Sequence, residues 1–198
     1  MLTLRRLHRL HLHPIDLDLH DGECVALSGH SGCGKSVLLR ALADLDPHEG
    51  EALLDGQSCA SMPAPQWRKQ VTYVPAESGW WDDMVRPHFL PEQDLATLLP
   101  RVGLAAAAAD WPVARLSTGE RQRMALLRAL RPGVRVLLLD EPTSGLDPDS
   151  VLKVEALLQE QLAQGMSILM VTHSPEQAMR LAHRRFRMQD GCLQELST

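Results

Sequence analysis

A glycine-rich segment of eight residues is the feature that most constrains the fold of this chain. It consists of Gly29, His30, Ser31, Gly32, Cys33, Gly34, Lys35 and Ser36. A short apolar run, 23–28, precedes it, and residues 35–45 have the apolar spacing of a helix. Glycines let backbone N–H groups converge on phosphate oxygens, and a helix N-terminus adds partial positive charge. The segment therefore predicts a phosphate-binding loop between a strand and a helix, rather than a simple glycine-rich turn.

Two side chains of this loop have predicted roles toward a nucleoside triphosphate. Lys35 is expected to reach the β- and γ-phosphates, and Ser36 is expected to bind Mg²⁺. Cys33 lies between two glycines and is interpreted as a tolerated filler, because nothing in the sequence supports a redox role for it.

A second segment supplies acidic groups for the same site. Four apolar residues, 136–139, predict a buried strand that ends at Asp140 and Glu141. Asp140 is expected to bind the Mg²⁺ shell, and Glu141 to polarise an attacking water. A hydrophobic strand that ends in Asp-Glu is a weak indication alone. Together with the glycine-rich loop, it predicts the second half of a nucleotide site.

Strand and helix patterns alternate along the chain. Strands are predicted within 2–19 and at 23–28, 51–54, 71–74, 136–139 and 167–171, with a hairpin at Asp190-Gly191. Helices are predicted at 35–45, 120–130 and 150–164, and the run 104–109 also favours a helix. Residues 76–115 lack strand signals, so a small helical subdomain is predicted at approximately 77–130. The alternation predicts an α/β class, with a parallel sheet covered by helices.

Length, charge and cysteine content restrict the classes of protein to which the chain can belong. Its 198 residues suit one domain, 1–198, and its net charge of −5 argues against nucleic acid as a partner. Four dispersed cysteines suggest a reducing compartment. They are Cys24, Cys33, Cys59 and Cys192. No apolar run approaches the ~20 residues of a membrane span, and no signal peptide is evident. We therefore expect a cytoplasmic chain that reaches a membrane only through a partner.

Three further motifs follow one another as they do in the ABC ATPase family. Residues 116–120 (LSTGE) resemble the signature motif, usually LSGGQ, with Thr118 and Glu120 as mild departures. Residues 144–147 (SGLD) resemble the D-loop, and His173 resembles the switch histidine. The resemblance covers nearly the whole chain. It implies the ABC ATPase fold, with a parallel-sheet core, an antiparallel β edge and a small helical subdomain.

The same resemblance implies a homodimer in which two chains enclose two ATP molecules. Each γ-phosphate would meet Lys35 and His173 of one chain and the signature motif of the other. The residues implied in contacts across the dimer are Ser117, Thr118, Gly119, Glu120 and Asp147. A hydroxyl, backbone N–H groups and a helix N-terminus suit a polyanion. The implied reaction is ATP hydrolysis with Glu141 as the base.

The sequence departs from the family pattern at two positions. The family's adenine-stacking aromatic corresponds by position to His11, although His8, His11 and His13 are equally well read as a solvated strand. A metal site from these histidines lacks an evident fourth ligand. The family's glutamine that touches Mg²⁺ and the attacking water is replaced by Ala76. Glu77 follows it and is expected to take over the polar role, unless that contact is lost.

Three aromatic residues, Trp80, Trp81 and Phe89, follow this position. In transporters of the family, the adjacent groove receives a short helix of the membrane subunit, and exposed aromatics would suit such docking. The alternative is that they form the core of the helical subdomain.

The predicted function is that of the ATP-hydrolysing motor subunit of an ABC membrane transporter, with an integral membrane permease as its partner. Residues 66–73 (QWRKQVTY) resemble ATPase subunits of the bacterial iron-exporter type. One alternative is a soluble ABC ATPase of DNA repair or translation, although neither a coiled-coil insertion nor a tandem domain is present. Another is a weakly hydrolysing, nucleotide-gated module, which Ala76 leaves open.

Overall fold

The computed structural model describes residues 1–196, which form ten strands and six α-helices. The strands are Leu2–His8 (β1), Ile15–Leu19 (β2), Cys24–Ser28 (β3), Glu49–Leu54 (β4), Gln57–Ser58 (β5), Val71–Val74 (β6), Val136–Asp140 (β7), Ser167–Val171 (β8), Arg184–Gln189 (β9) and Cys192–Leu196 (β10). The helices are Lys35–Leu42 (α1), Ala64–Gln70 (α2), Leu95–Arg101 (α3), Thr118–Ala129 (α4), Pro148–Ala163 (α5) and Pro175–Leu181 (α6).

The strands form two sheets. The smaller sheet is antiparallel, with the order β2-β1-β4-β5. The larger has the order β10-β9-β3-β8-β7-β6, in which β6, β7, β8, β3 and β9 are parallel and β10 pairs antiparallel with β9. All five parallel strands therefore direct their carboxyl ends to one edge of the sheet, the edge at which α/β folds bind ligands.

Strand β7 shows why the larger sheet is central to the fold. All five of its residues are buried. Val136 and Leu138 belong to the apolar cluster that includes α1 and the antiparallel sheet, whereas Leu137 and Leu139 belong to the cluster that includes α4 and α5. Alternate side chains of a strand point to opposite faces, so a sheet covered on both faces requires a continuous apolar run.

The region between β6 and β7 differs from its predicted form. The run 104–109, expected to be helical, forms a 3₁₀ turn at Ala106–Asp110. The α-helix lies earlier, at Leu95–Arg101, where the Asp94 carboxylate accepts hydrogen bonds from the first turn. Gly103, at φ 73°, follows that helix, and the Ala108 N–H donates to the carbonyl of Ala105, three residues earlier, at 2.9 Å, which is the 3₁₀ pattern.

Two helices outside the predicted helical subdomain, α2 and α6, were not predicted. Each has only seven residues, which is about two turns and too few to give a clear apolar period. Within residues 1–196, no helix is long and apolar enough to cross a membrane.

Candidate functional site

The glycine-rich loop runs from the end of β3 to the start of α1. A Cβ atom at Gly34, where φ is 109°, would lie 2.4 Å from Leu12 Cδ2. A Cβ atom at Gly29 would lie 2.4 Å from the carbonyl oxygen of Met188. Both positions therefore require glycine, and the loop closes tightly over the N-terminus of α1.

Lys35, the first residue of α1, lies folded back over this loop. Its Nζ donates hydrogen bonds to the carbonyl oxygens of Gly29 (2.7 Å) and His30 (3.0 Å), and its side chain is buried. The loop thus holds a cation at its centre, where phosphate oxygens would be bound.

Asp140, the last residue of β7, lies next to Ser36. The Ser36 hydroxyl donates to Asp140 Oδ2 at 2.7 Å, and the Tyr73 hydroxyl donates to the same oxygen at 3.0 Å. The Ser36 hydroxyl and the Asp140 carboxylate are the hard oxygen ligands that Mg²⁺ prefers. These two side chains could therefore hold a magnesium ion.

Glu141 adopts an unusual backbone conformation at the end of β7. Its φ is +52°, a left-handed value that costs energy for a residue with a side chain and that occurs preferentially at functional sites. The backbone N–H of Glu141 donates to the carbonyl of Val171 on β8 at 3.0 Å. This anchor fixes Glu141 beside the end of β8, where His173 lies.

The Glu141 carboxylate has an altered protonation equilibrium. Partial burial raises the pKa of Glu141, with a smaller contribution from the Asp140 charge, while His173 and Lys35 act in the opposite direction. His173 Nε2 lies 3.2 Å from Glu141 Oε1. A carboxylate with a raised pKa is a better proton acceptor than an ordinary one.

These groups line one cavity of about 320 Å³ at the carboxyl edge of the parallel sheet. Its lining residues are Ser31, Gly32, Gly34, Lys35, Ser36, Val37, Ala76, Asp140, Glu141 and His173. They come from loops that follow β3, β6, β7 and β8, which are neighbours in the sheet. The structure therefore brings the predicted phosphate, metal and base residues together.

The predicted adenine-stacking residue lies beside a separate cavity. His11 is exposed, and its Nε2 would lie 3.0 Å from a Cβ at Gly34. This cavity, of about 590 Å³, is also lined by His13, His30 and Cys33. His8 instead pairs with Glu49 at 3.2 Å. Within residues 1–196, no group of three or more His, Cys, Asp or Glu side chains could hold a metal.

The signature and D-loop residues lie outside the 320 Å³ cavity, and two of them cap helices. The Ser117 hydroxyl accepts from the Glu120 backbone N–H at 3.2 Å, and the Glu120 carboxylate accepts from the Ser117 N–H at 2.8 Å. Asp147 accepts from the Ser150 N–H at 2.9 Å at the start of α5. Thr118 and Gly119 begin α4. The N-terminus of this 12-residue helix is thus stabilised by a capping box.

Ala76 and Glu77 differ in their position relative to the site. Ala76 lines the cavity, whereas Glu77 is exposed and is not among the residues of its wall. The expectation that Glu77 takes over the missing polar contact is not supported by this position.

We expect Glu77→Ala to change kcat by no more than about twofold, because the exposed Glu77 carboxylate does not line the cavity that contains the reacting groups. Steady-state ATPase rates at saturating Mg²⁺ measure this. A large fall in kcat with unchanged nucleotide affinity would instead show that Glu77 reaches the reacting groups.

The three aromatic residues after this loop divide between core and surface. Phe89 is buried in the apolar cluster of α4 and α5, at 8% exposure. Trp81 is 70% exposed, and its ring meets His88 at 4.2 Å. Trp80 is half-buried, and the Arg128 guanidinium lies 4.9 Å from the Trp80 and Trp81 rings. Phe89 is therefore a core residue, whereas the exposed side chain of Trp81 is available to a partner.

Sequence reasoning did not identify two polar residues that contact the site. The Gln122 side chain, buried in α4, donates to the main-chain oxygen of Glu141. Tyr73 contacts Asp140, as described above. Tyr73 is a polar residue in a largely apolar strand, and this was the signal that could have identified it. Gln122 lies between Arg121 and Arg123, so no local pattern distinguishes it.

Comparisons with known proteins agree with this architecture. The family model described as ABC transporter matches residues 12–144. The chain is 38% identical over 187 residues to the aliphatic sulfonates import ATP-binding protein SsuB of Cupriavidus necator, with 91% of this chain and 61% of the relative covered. It is 40% identical over 182 residues to SsuB 2 of Paracoccus denitrificans, with 90% and 71% covered. The chain thus spans less than two thirds of the first relative.

Two solved structures are similar along their whole length. One is a dimeric post-hydrolysis state of the ATP-binding cassette MJ0796 bound to ADP and Pi, with a TM-score of 0.86 at 24% identity. The other is the dimeric structure of MJ0796, described as a bacterial ABC transporter cassette, with a TM-score of 0.80 at 23% identity. Both cover 100% of this chain and of the compared chain. At these identities the likeness shows the fold, and the predicted fold class is confirmed.

Proposed function

The chain belongs to the ABC transporter family, and we propose that it hydrolyses ATP to ADP and phosphate as the motor subunit of a membrane transporter. One observation carries the proposal. Lys35, Ser36, Asp140, Glu141 and His173 line a single cavity at the carboxyl edge of the parallel sheet. Each part of phosphoryl transfer to water has a suitable group there.

We propose that Ser36 and Asp140 hold Mg²⁺ together with the nucleotide. The donor set fits this ion, because Mg²⁺ is usually bound by one or two protein oxygens and completed by phosphate and water oxygens. When bound, Mg²⁺ neutralises charge on the β- and γ-phosphates. Lys35, which lines the same cavity, would add a second positive charge.

Glu141 would accept the proton of the attacking water. Its raised pKa brings its basicity closer to that required near neutral pH, and its left-handed backbone anchors the carboxylate beside His173. His173, whose Nε2 lies 3.2 Å from Glu141 Oε1, would donate from its ring nitrogen to the γ-phosphate. Glu141 and His173 would raise the rate of hydrolysis by orienting the water and the γ-phosphate, without forming a covalent intermediate.

The second half of the site would come from another copy of this chain. Ser117, Thr118, Gly119, Glu120 and Asp147 do not line the cavity of their own chain, so they are free to contact a nucleotide across a dimer. The N-terminus of α4 is stabilised by its capping box, and it provides backbone N–H groups and a positive dipole end. Both similar structures are described as dimeric, which supports this arrangement.

We propose that an integral membrane permease docks in a groove beside β6, which would hold the chain at the inner face of the cell membrane. The groove has a volume of about 340 Å³, and its wall includes Trp81, Leu90 and Arg128. An exposed tryptophan beside an arginine has the composition of an interface hot spot.

Trp81→Ala should abolish co-purification with the permease from detergent-solubilised membranes, because loss of a hot-spot aromatic costs about 2 kcal/mol or more. Leu152→Ala, at another exposed apolar position on α5, is the matched control and should co-purify normally. ATP binding by both variants should equal that of the unmodified chain. Normal co-purification of Trp81→Ala would contradict docking in this groove, and a chain that captures no multi-span membrane protein would contradict the transport role.

We propose that the transporter is an importer rather than an exporter. The relatives reported above are named as import subunits, which supports an importer. The resemblance of residues 66–73 to iron exporters remains a prediction without support from these relatives. A role in DNA repair or translation has no specific observation in its favour. The weakly hydrolysing alternative rests on Ala76, whose methyl group lines the cavity where the family has a glutamine.

A further inference from the structure

Tyr73 joins the strand before Ala76 to the predicted metal-binding carboxylate. It is the only tyrosine in the sequence and lies on β6, which pairs in parallel with β7. Its hydroxyl donates to Asp140 Oδ2 at 3.0 Å, and the Ser36 hydroxyl donates to the same oxygen at 2.7 Å. Neither donor touches Oδ1. The pair of hydrogen bonds therefore fixes the carboxylate plane while Oδ1 keeps its acceptor capacity.

The contact between Tyr73 and Asp140 joins a neutral phenol donor to a carboxylate acceptor at 3.0 Å. A hydrogen bond from a neutral donor to a carboxylate is charge-assisted, which makes it stronger than a bond between neutral groups.

The hydrogen bond from Tyr73 to Asp140 is a polar contact with the site that the alanine at position 76 cannot make. Ala76 lines the cavity but has no polar side-chain atom, and it lies three residues beyond Tyr73. Tyr73 also contributes to the wall of the groove that contains Trp81 and Arg128. Strand β6 thus borders this groove, and the Tyr73 hydroxyl on the same strand reaches Asp140 in the site.

We propose that Tyr73 is a positioning residue that orients Asp140 for Mg²⁺ and provides the polar contact between this segment and the metal site that Ala76 cannot make. The proposal rests on the proposed Mg²⁺ site. Partners that orient a metal-binding side chain typically contribute about 10- to 100-fold to metal affinity. Loss of the hydroxyl should therefore weaken binding of the magnesium complex and leave contacts with the nucleotide itself intact.

Tyr73→Phe tests this, because it removes only the hydroxyl. ATP affinity is measured by calorimetry in excess EDTA and again in excess Mg²⁺. The ratio of the two affinities should fall on the order of 10-fold in the variant, while the affinity in EDTA stays unchanged. Thr72→Val is the matched control. It removes a hydroxyl from the neighbouring residue of β6, which donates to the Arg68 carbonyl at 3.0 Å, and its ratio should equal that of the unmodified chain.

A second measurement needs no substitution. Growth on 3-fluorotyrosine labels one position, and its fluorine resonance should shift when Mg²⁺ is added to the ATP-bound chain. An unchanged ratio in Tyr73→Phe, an equal loss of both affinities, or a resonance insensitive to Mg²⁺ would each overturn the proposal. Failure of the Mg²⁺ site itself would look different, because the unmodified chain would then bind ATP equally well in Mg²⁺ and in EDTA.

Discussion

Lys35→Ala should bind ATP more weakly by about 30-fold or more. The ammonium is buried at the centre of the loop, where two carbonyl oxygens hold it, and it supplies a positive charge for a polyanion. Truncation of one partner of a buried, hydrogen-bonded charge pair costs about 2–5 kcal/mol. That loss corresponds to a Kd weaker by about 30-fold to several-thousand-fold. Calorimetric titration with Mg²⁺ and ATP gives the value directly.

Lys69→Ala provides the comparison for this titration. Lys69 is exposed on α2 and is remote in sequence from the loop, so its loss removes the same charge without touching the site. Its ATP affinity should match that of the unmodified chain. Equal ATP affinity in Lys35→Ala and Lys69→Ala would contradict the assignment of the phosphate-binding loop.

Glu141→Gln should bind ATP normally and hydrolyse it slower by on the order of 10²- to 10⁴-fold, the usual contribution of a positioned general base. The amide keeps the shape of the carboxylate but cannot accept the proton of the attacking water. Contacts made by the backbone, including the bond from the Glu141 N–H to Val171, are retained. Phosphate release in steady state, with ATP affinity measured in parallel, separates loss of chemistry from loss of binding.

An ATPase rate in Glu141→Gln close to that of the unmodified chain would show that another group accepts the proton. His173 would then be the first residue to test, since it lies 3.2 Å from this carboxylate.

The sequence was most informative where one physical requirement fixes several residues at once. The glycine-rich loop needs positive φ angles, close backbone approach and a helix start, and its limits coincide with the end of β3 and the start of α1. Strand β6 was predicted with its observed bounds, and β7 extends one residue further, to Asp140. A short, continuous apolar run is typical of a parallel strand that is buried on both faces.

The remaining features depend on contacts between residues that are far apart in sequence. The short helix α3 and the 3₁₀ turn at Ala106–Asp110 are set by a cap and by a glycine rather than by an apolar period. The bond between Tyr73 and Asp140 joins residues that are 67 positions apart. Similarly, the exposure of Trp81 and the burial of Phe89 follow from packing, which no local pattern encodes.

The mass of Glu141→Gln in solution tests most directly whether two chains enclose ATP. Because this variant should keep its nucleotide, the closed dimer should accumulate. We predict that light scattering coupled to size-exclusion chromatography gives, with Mg²⁺ and ATP, twice the 22.0 kDa mass of one chain, and the single-chain mass with ADP. A single-chain mass with saturating ATP at high protein concentration, also in the presence of the permease, would contradict the account.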